Sequence, residues 1–456
     1  MNLQSTLRTS AGVAGVALLA AAWTMLAYAA GPPIALAALV SAGVVVAVMW
    51  QPMVGVYLGL LTIPLELLSF RVGGSFGLSP SELLFLLTAA ATAFHVAARS
   101  RTITPSPAFG WFLALLLVGL LGLTFAEDTF VIVRIVLMWS AFLTVAALVS
   151  SGTPEELERV LRAVGLTGGI VGLIALATTG DQQLMAGGVI ASNRAEATFA
   201  HPNVLAFCLQ MSIPVALVTG MRARGLMKVV LLAAAAIAVA GLALTLSRGG
   251  IVGAGISLAV LLAWAPFRRY AGAILLVLSL FALANLGSLH DSSASLVAQR
   301  LGTLNSEGIR DNPRTKIWRA TPDIIADYPF LGTGMGNFGE VSPRYGIRDL
   351  GGFAYDHAHN IVLTFAAETG LIGVFLFLAF VFAVARAGMR ALRAGDWPGF
   401  APALAVVASL VGLFVTSLGE YPPRTNVIMA MIMVLIGALV AYERLASERR
   451  GREASL

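Results

Sequence analysis

Residues 229–264, VVLLAAAAIAVAGLALTLSRGGIVGAGISLAVLLAW, are two apolar runs joined by a single charged residue, Arg248. A helix needs roughly 20 apolar residues to cross a bilayer's hydrocarbon core, and each run approaches that length. Almost no loop separates them, so the guanidinium of Arg248 must lie at a bilayer surface or in a wet cavity. Each run must be helical, because an open backbone in lipid leaves its amides and carbonyls unsatisfied. This stretch therefore belongs to a chain that crosses a membrane and turns back.

The rest of the sequence repeats the pattern. Of 456 residues, 58% are apolar and 11% charged, with a mean hydropathy of +0.87. Soluble domains average about 25% charged residues. The composition excludes a soluble enzyme, a disulfide scaffold and a disordered chain. A lone cysteine, Cys208, excludes internal disulfides and any CxxC metal or redox site. The net charge of +6 is what the cytoplasmic loops of a membrane protein supply, so no nucleic-acid partner is expected.

Apolar runs predict spans at 11–30, 33–50, 53–69, 81–98, 108–126, 130–149, 160–178, 203–220, 226–246, 249–266, 271–289, 361–385, 399–418 and 425–442. The expected fold is an all-α polytopic membrane protein with about 12–14 transmembrane helices. The first span is read as a retained anchor, its apolar stretch being longer than a signal-peptide core. Seventeen of the 29 Lys and Arg residues fall on one side of this map, among them Arg99, Arg101, Arg159, Arg162, Arg386 and Arg390. The short loops opposite keep only Arg71, Arg194, Arg248 and Arg424. The excess of cations marks the cytoplasmic side and places both termini there.

Four regions follow from this map: transmembrane helices over 1–289 with an external loop at 179–202, an external cap over 290–358, C-terminal transmembrane helices over 359–442, and a basic cytoplasmic tail over 443–456. The cap mixes Arg300, Arg310, Arg314, Lys316, Arg319, Arg344 and Arg348 with eight acidic residues and interleaved aromatics such as Trp318, Tyr328 and Phe338. That mixture suits a folded unit. A helix is expected over Asn312–Tyr328, kinked or split by Pro322. No internal repeat is visible.

Polar groups at membrane depth are costly, so each one needs a reason. The external loop holds Arg194, His201 and Asn203. Arg248 carries a planar fork suited to bidentate binding of phosphate oxygens; the alternative is a snorkelling helix-end arginine. Asp356-His357-Ala358-His359-Asn360 stands where the cap re-enters the membrane. A neutral imidazole there could take a proton from a hydroxyl. His-x-His also occurs in metal sites, but no third ligand stands at suitable spacing in the sequence. Glu66 and Arg134, both inside spans, could pair with neighbours or line a cavity. Gly334-x-Gly336-x-x-Gly339 spells a dinucleotide fingerprint without the strand and helix it requires, and is expected to be a flexible turn.

Arginines and a histidine on the external face, with no nucleotide motif beside them, point to a donor already activated and carried by lipid. A polyprenyl-pyrophosphate-linked sugar fits, with arginines stabilising the diphosphate leaving group and histidine activating the acceptor hydroxyl. No cofactor is expected.

The ordered set Arg194-Ala-Glu-Ala-Thr-Phe-Ala-His-Pro-Asn203, Ser247-Arg-Gly-Gly250, Arg314-x-x-x-Trp318, Pro329-x-x-Gly-x-Gly-x-Gly-x-Phe338 and His357-x-His-Asn360 resembles the bacterial O-antigen ligase and polymerase family, over roughly residues 190–375. The resemblance implies a GT-C-like, metal-independent, inverting glycosyltransferase of the inner membrane. Its donor would be an undecaprenyl-pyrophosphate glycan, its acceptor a lipid A core or another glycan, and its site would face the periplasm. It implies His359 as base with His357 as backup. Arg194, Arg248 and Arg314 would bind the diphosphate, with His201, Asn203 and Asn360 in support. The glutamate inserted after Arg194 loosens the match there. Ligase and polymerase share this chemistry. A lipid-linked sugar flippase would instead need inverted repeats and broken midplane helices, and a peptidoglycan polymerase of the shape-and-division type would need an essential outer-loop carboxylate.

Overall fold

The computed structural model describes residues 31–66, 68, 70–72, 76–178, 195–199, 201–269, 313–348, 354–393 and 398–455. Arg194 and the expected spans at 11–30 and 271–289 lie outside the described residues.

The described chain is helical almost throughout. Its membrane helices are α1 (Pro32–Trp50), α2 (Pro52–Leu61), α3 (Pro80–Ala97), α4 (Pro107–Leu121), α5 (Thr129–Ser150), α6 (Pro154–Thr178), α7 (Pro202–Arg222), α8 (Gly225–Leu244) and α9 (Arg248–Leu261). The cap contributes α10 (Pro313–Asp327) and the short α11 (Phe338–Val341), and α12 (Ile361–Leu392), α13 (Phe400–Ser417) and α14 (Asn426–Ala454) close the bundle. Nine described helices are long and apolar enough to cross a membrane, and three shorter apolar ones accompany them. The chain is an all-α polytopic membrane protein. Its one described sheet is a hairpin, Phe70–Val72 antiparallel to Phe76–Leu78.

Lipid is as apolar as leucine, so these helices are held by close packing and interhelical hydrogen bonds. Glycines of α6 make the approach possible: Gly165 packs on Ala216 of α7, Gly168 on Ser212, and Gly169 on Ala234 of α8. Hydroxyls tie the centre, with Ser257 of α9 bonding the Ala408 carbonyl at 2.8 Å and Ser409 of α13 bonding that of Met211 at 2.8 Å. α7 and α14 are the central helices, each 83% buried over its apolar window. α14 continues past the expected span, so the described part of the basic tail extends it as helix, braced by the pairs Arg444–Glu448 and Arg449–Glu453.

Two elements differ from expectation. α10 runs through Pro322 as one helix. The flexible turn expected over Gly334–Gly339 is instead a packed splint across a break in α12. At Gly370 the backbone leaves the helix with φ +64 and ψ −170. The carbonyls of Ala367 and Glu368 accept from Thr333 and Gly334 at 2.9 Å each, and Leu371 donates to Pro329 at 2.8 Å. Gly332 has φ +68, and a Cβ there would lie 2.3 Å from the Glu368 carbonyl carbon, so only glycine fits. Asn337 fixes the far end, accepting from the Asp128 amide at 2.7 Å and donating to its carbonyl at 3.0 Å. The splint thus gives backbone groups freed by the break new partners, as an apolar surrounding requires.

Above the bundle, Ile317, Ile324, Phe338, Val341, Ile347, Ala358 and Ala367 form a second apolar core. It seats the cap on the start of α12. Trp318 of α10 donates to the Ala358 carbonyl at 2.9 Å, between the two histidines of the re-entry segment.

Candidate functional site

The first turn of α12 fixes the re-entry segment. Asn360 caps the helix, its Oδ1 accepting from Val362 and Leu363 at 2.9 and 3.0 Å, and its Nδ2 donates to the Leu418 carbonyl at 2.9 Å. Its support is therefore structural: it joins α12 to the loop after α13. His359, just before it, has φ +49, the left-handed region that a non-glycine residue enters only when its surroundings hold it there.

That loop, Leu418-Gly-Glu-Tyr-Pro-Pro-Arg424, carries the residue that sequence reasoning missed. Glu420 is buried, its side chain 8% exposed, and it accepts from Nδ1 of His359 at 3.0 Å. Its other oxygen meets Arg314 of α10 and the Nδ2 of Asn203 at the start of α7. Burial alone would raise the Glu420 carboxyl, but the His359 hydrogen bond and the Arg314 charge outweigh it and hold it below the usual value. Glu420 is an ionised anchor. With Nδ1 turned to this carboxylate, Nε2 is the ring nitrogen of His359 left to act on a substrate.

A second pair stands beside the first. His357 Nδ1 contacts Asp356 at 3.1 Å, and Asp356 is paired with Arg424. The two imidazole rings lie 4.2 Å apart. Burial holds His357 below the ordinary histidine value, partly opposed by Asp356. Its side chain is 4% exposed, against 19% for His359. His359 is thus the ring a substrate can reach.

The other expected residues divide. Arg314 and Asn203 both converge on Glu420, Arg314 as an ion pair. His201 caps α7, its Nδ1 accepting from the Asn203 amide at 3.1 Å. Arg248 is exposed at the first turn of α9, whose cap is Ser247. Thr416, four residues before Glu420, bonds the Gly249 carbonyl at 3.0 Å, and Ala195 donates to Leu244 at 3.0 Å. These ties bring the Arg248 turn, the 195–203 segment, the His-x-His segment and the Glu420 loop to one end of the bundle.

Glu420 also changes the metal question. One donor atom from each of His357, His359 and Glu420 falls within 4.8 Å of the others, so the third ligand missing from the sequence is present in space. Both Glu420 oxygens and both Nδ1 atoms are already engaged, and a cation would sit against Arg314. The trio is a hydrogen-bonded base more readily than a metal cage.

Residues 233–378 match a family model described as O-antigen ligase. The matched stretch holds Arg248, Arg314, His357 and His359, while Asn203 and Glu420 lie outside it. It supports glycan transfer of the O-antigen ligase and polymerase type. No curated protein matches the chain. A chain solved under the heading "Structural coordination of polymerization and crosslinking by a peptidoglycan synthase complex" is similar at 14% identity and a TM-score of 0.41, over 74% of this chain and 97% of that one.

Proposed function

Proceeding from an O-antigen ligase domain over residues 233–378, we propose that the protein transfers a glycan from undecaprenyl pyrophosphate to an acceptor hydroxyl. The transfer takes place on the periplasmic face of the bacterial inner membrane, with both termini in the cytoplasm and residues 290–358 as the cap over the site. The acceptor is the lipid A core. Polymerisation of repeat units would use the same donor and the same base.

The observation that carries this reading is the Glu420–His359 pair: an imidazole on a left-handed backbone, tied at Nδ1 to a buried carboxylate and partly exposed. Nε2 of His359 takes the acceptor proton as the hydroxyl oxygen attacks the anomeric carbon opposite the diphosphate. The carbon–oxygen bond to the diphosphate breaks, its electron pair leaves with the phosphate, and the configuration inverts. Arg248 and Arg194 neutralise the charge that develops on the leaving group. Arg314 acts through Glu420, which it holds ionised and in place. Glu420 in turn favours the imidazolium that forms, the part an orienting carboxylate plays in a nucleophile–base–acid triad.

The test supplies purified protein in lipid with a labelled undecaprenyl-pyrophosphate oligosaccharide and candidate acceptors. Label on lipid A core supports the ligase; a lengthened polyprenyl-linked glycan moves the assignment to polymerase. Full transfer by His359→Ala refutes the base, and loss of transfer on chelation refutes the metal-free step.

A further inference from the structure

Three helices meet at a polar node inside the bundle. Gln210 of α7 is fully buried, and its Oε1 lies 3.0 Å from the Thr416 hydroxyl of α13. The same hydroxyl lies 3.0 Å from the Gly249 carbonyl, in the first turn of α9, and 3.1 Å from that of Gly412. Nε2 of Gln210 is buried with no hydrogen-bond partner among the described residues. An amide in so apolar a surrounding is costly, and its placement needs a reason.

Glycines close the three backbones around this node. At Gly253 of α9, a Cβ would stand 2.2 Å from Thr416 Oγ1 and 2.4 Å from Gln210 Nε2. At Gly412 it would stand 2.4 Å from the Gly253 carbonyl oxygen, and at Gly250 2.7 Å from the Ala206 Cβ of α7. The start of α9 therefore has no slack against α7 or α13. The hydroxyl carries one proton and faces three oxygens. When that proton goes to Gly249, a half-turn of the Gln210 amide, which exchanges Oε1 for Nε2 without changing shape, lets the unpartnered nitrogen donate to Oγ1.

Gly249 follows Arg248 directly, and Thr416 stands four residues before Glu420, the anchor of His359. We propose that Gln210 and Thr416 are positioning residues: their node fixes the turn that carries Arg248 relative to the Glu420 loop, so that the diphosphate is gripped at a set distance from the imidazole. The proposal rests on the reading of Arg248 as a diphosphate ligand. In an inverting displacement the base and the leaving diphosphate stand on opposite sides of one carbon, so the reaction itself dictates their spacing. A misplacement of about 1 Å can cost about 100-fold. Arg248 is exposed on a long stem, and what the fold can fix is the backbone beneath it. Ser257 ties the same pair of helices through the Ala408 carbonyl at 2.8 Å, but about 12 Å further along α9 at 1.5 Å per residue. That bond holds the helices together without reaching the turn.

The experiment titrates the full chain in lipid nanodiscs with farnesyl pyrophosphate. Thr416→Val keeps the shape of the side chain and removes the hydroxyl. Affinity should fall about tenfold, the loss expected of Arg248→Lys itself, because a misaimed fork acts as a point charge. Thr416→Ser should restore it, and Gln210→Leu should repeat the loss. With Arg248→Lys already in place, Thr416→Val should cost less than about twofold more, since the node acts through that fork. Ser257→Ala is the structural control, with a lower Tm and unchanged affinity. Wild-type affinity in a folded Thr416→Val protein, a full tenfold loss on top of Arg248→Lys, or an equal loss in Ser257→Ala overturns the proposal and leaves the node a packing element. Absence of pyrophosphate binding by the wild type overturns both the proposal and the reading it rests on. Glycan transfer then separates the two. Coupled affinities without transfer support the node and count against the activity; transfer with additive affinities overturns the node and leaves the activity intact.

Discussion

Replacing Glu420 by Gln isolates the charge on which the proposed mechanism turns. Glutamine keeps the shape of the side chain, and its carbonyl can still accept from Arg314 and Asn203, so the loop between α13 and α14 should persist. What is lost is the ionised acceptor 3.0 Å from Nδ1 of His359. A charge-assisted hydrogen bond contributes about 1.5–3 kcal/mol, and an ion pair at about 4 Å contributes about 4 kcal/mol at an effective dielectric of 20. The imidazolium exists only after proton transfer, so this loss falls on the transition state and spares the ground state. A deficit of about 2–4 kcal/mol corresponds to a drop in kcat of roughly 30- to 1,000-fold with KM little changed. The assay is single-turnover transfer from a labelled lipid-linked oligosaccharide in nanodiscs, beside a thermal melt to verify folding. Glu420→Asp, which restores the charge on a shorter stem, should recover part of the rate. A fall of less than threefold in a folded Glu420→Gln protein would refute the anchored-base argument.

Arg248→Lys replaces a bidentate fork with a point charge, so donor affinity measured by titration should weaken about tenfold, with kcat per bound donor less affected. Gly332→Ala must place a Cβ 2.3 Å from the Glu368 carbonyl carbon at φ +68, so the splint should shift at a cost of about 2–4 kcal/mol, seen as a lower Tm in detergent. His357, held below its ordinary value by burial, binds its proton later in the folded than in the unfolded chain. Its contribution to stability is complete above the ordinary histidine value and is lost as pH falls from there toward the folded one. Melts between pH 7 and pH 5 should therefore decline, and His357→Asn should flatten the decline; an identical slope in both proteins would contradict it.

The bilayer made most of the fold legible, because lipid forces each long apolar run to be a helix whatever its neighbours are. Where the sequence misled, the cause was nonlocal. Gly370 sits in a long apolar run interrupted only by Glu368-Thr369 just before it, and nothing there announces that residues 329–334 will bond across a break. The glycines at 332, 334 and 336 look like a loose turn until α12 and α5 are packed against them. Arg314 looks like a free phosphate ligand because its partner is 106 residues away. Glu420 escaped notice in a short, proline-rich loop that reads as a simple reversal. The scarcity argument that drew attention to Arg248 and His359 applies with equal force to an acid at the membrane face, and it was the one signal able to find Glu420.

On the proposed mechanism, the placement of Glu420 makes the cap part of the chemistry. His359 lies on the membrane side of the re-entry, Glu420 on the loop after α13, Asn203 at the start of α7 and Arg314 on the cap helix. None of these pieces holds the imidazole alone. Arg314 reaches Glu420 from a cap helix that is tied down one turn further along, where Trp318 is bonded to the Ala358 carbonyl, and Ala358 belongs to the apolar core that binds cap to bundle. Lifting the cap would withdraw the arginine, leave a buried carboxylate without its compensating charge, and free the ring it positions. Trp318→Phe removes that one N–H donor and keeps the ring. If the cap positions the base, the variant should lower kcat while donor KM stays near the wild-type value. A rise in KM alone would instead make the cap a binding element, and the base would be held by the membrane helices by themselves.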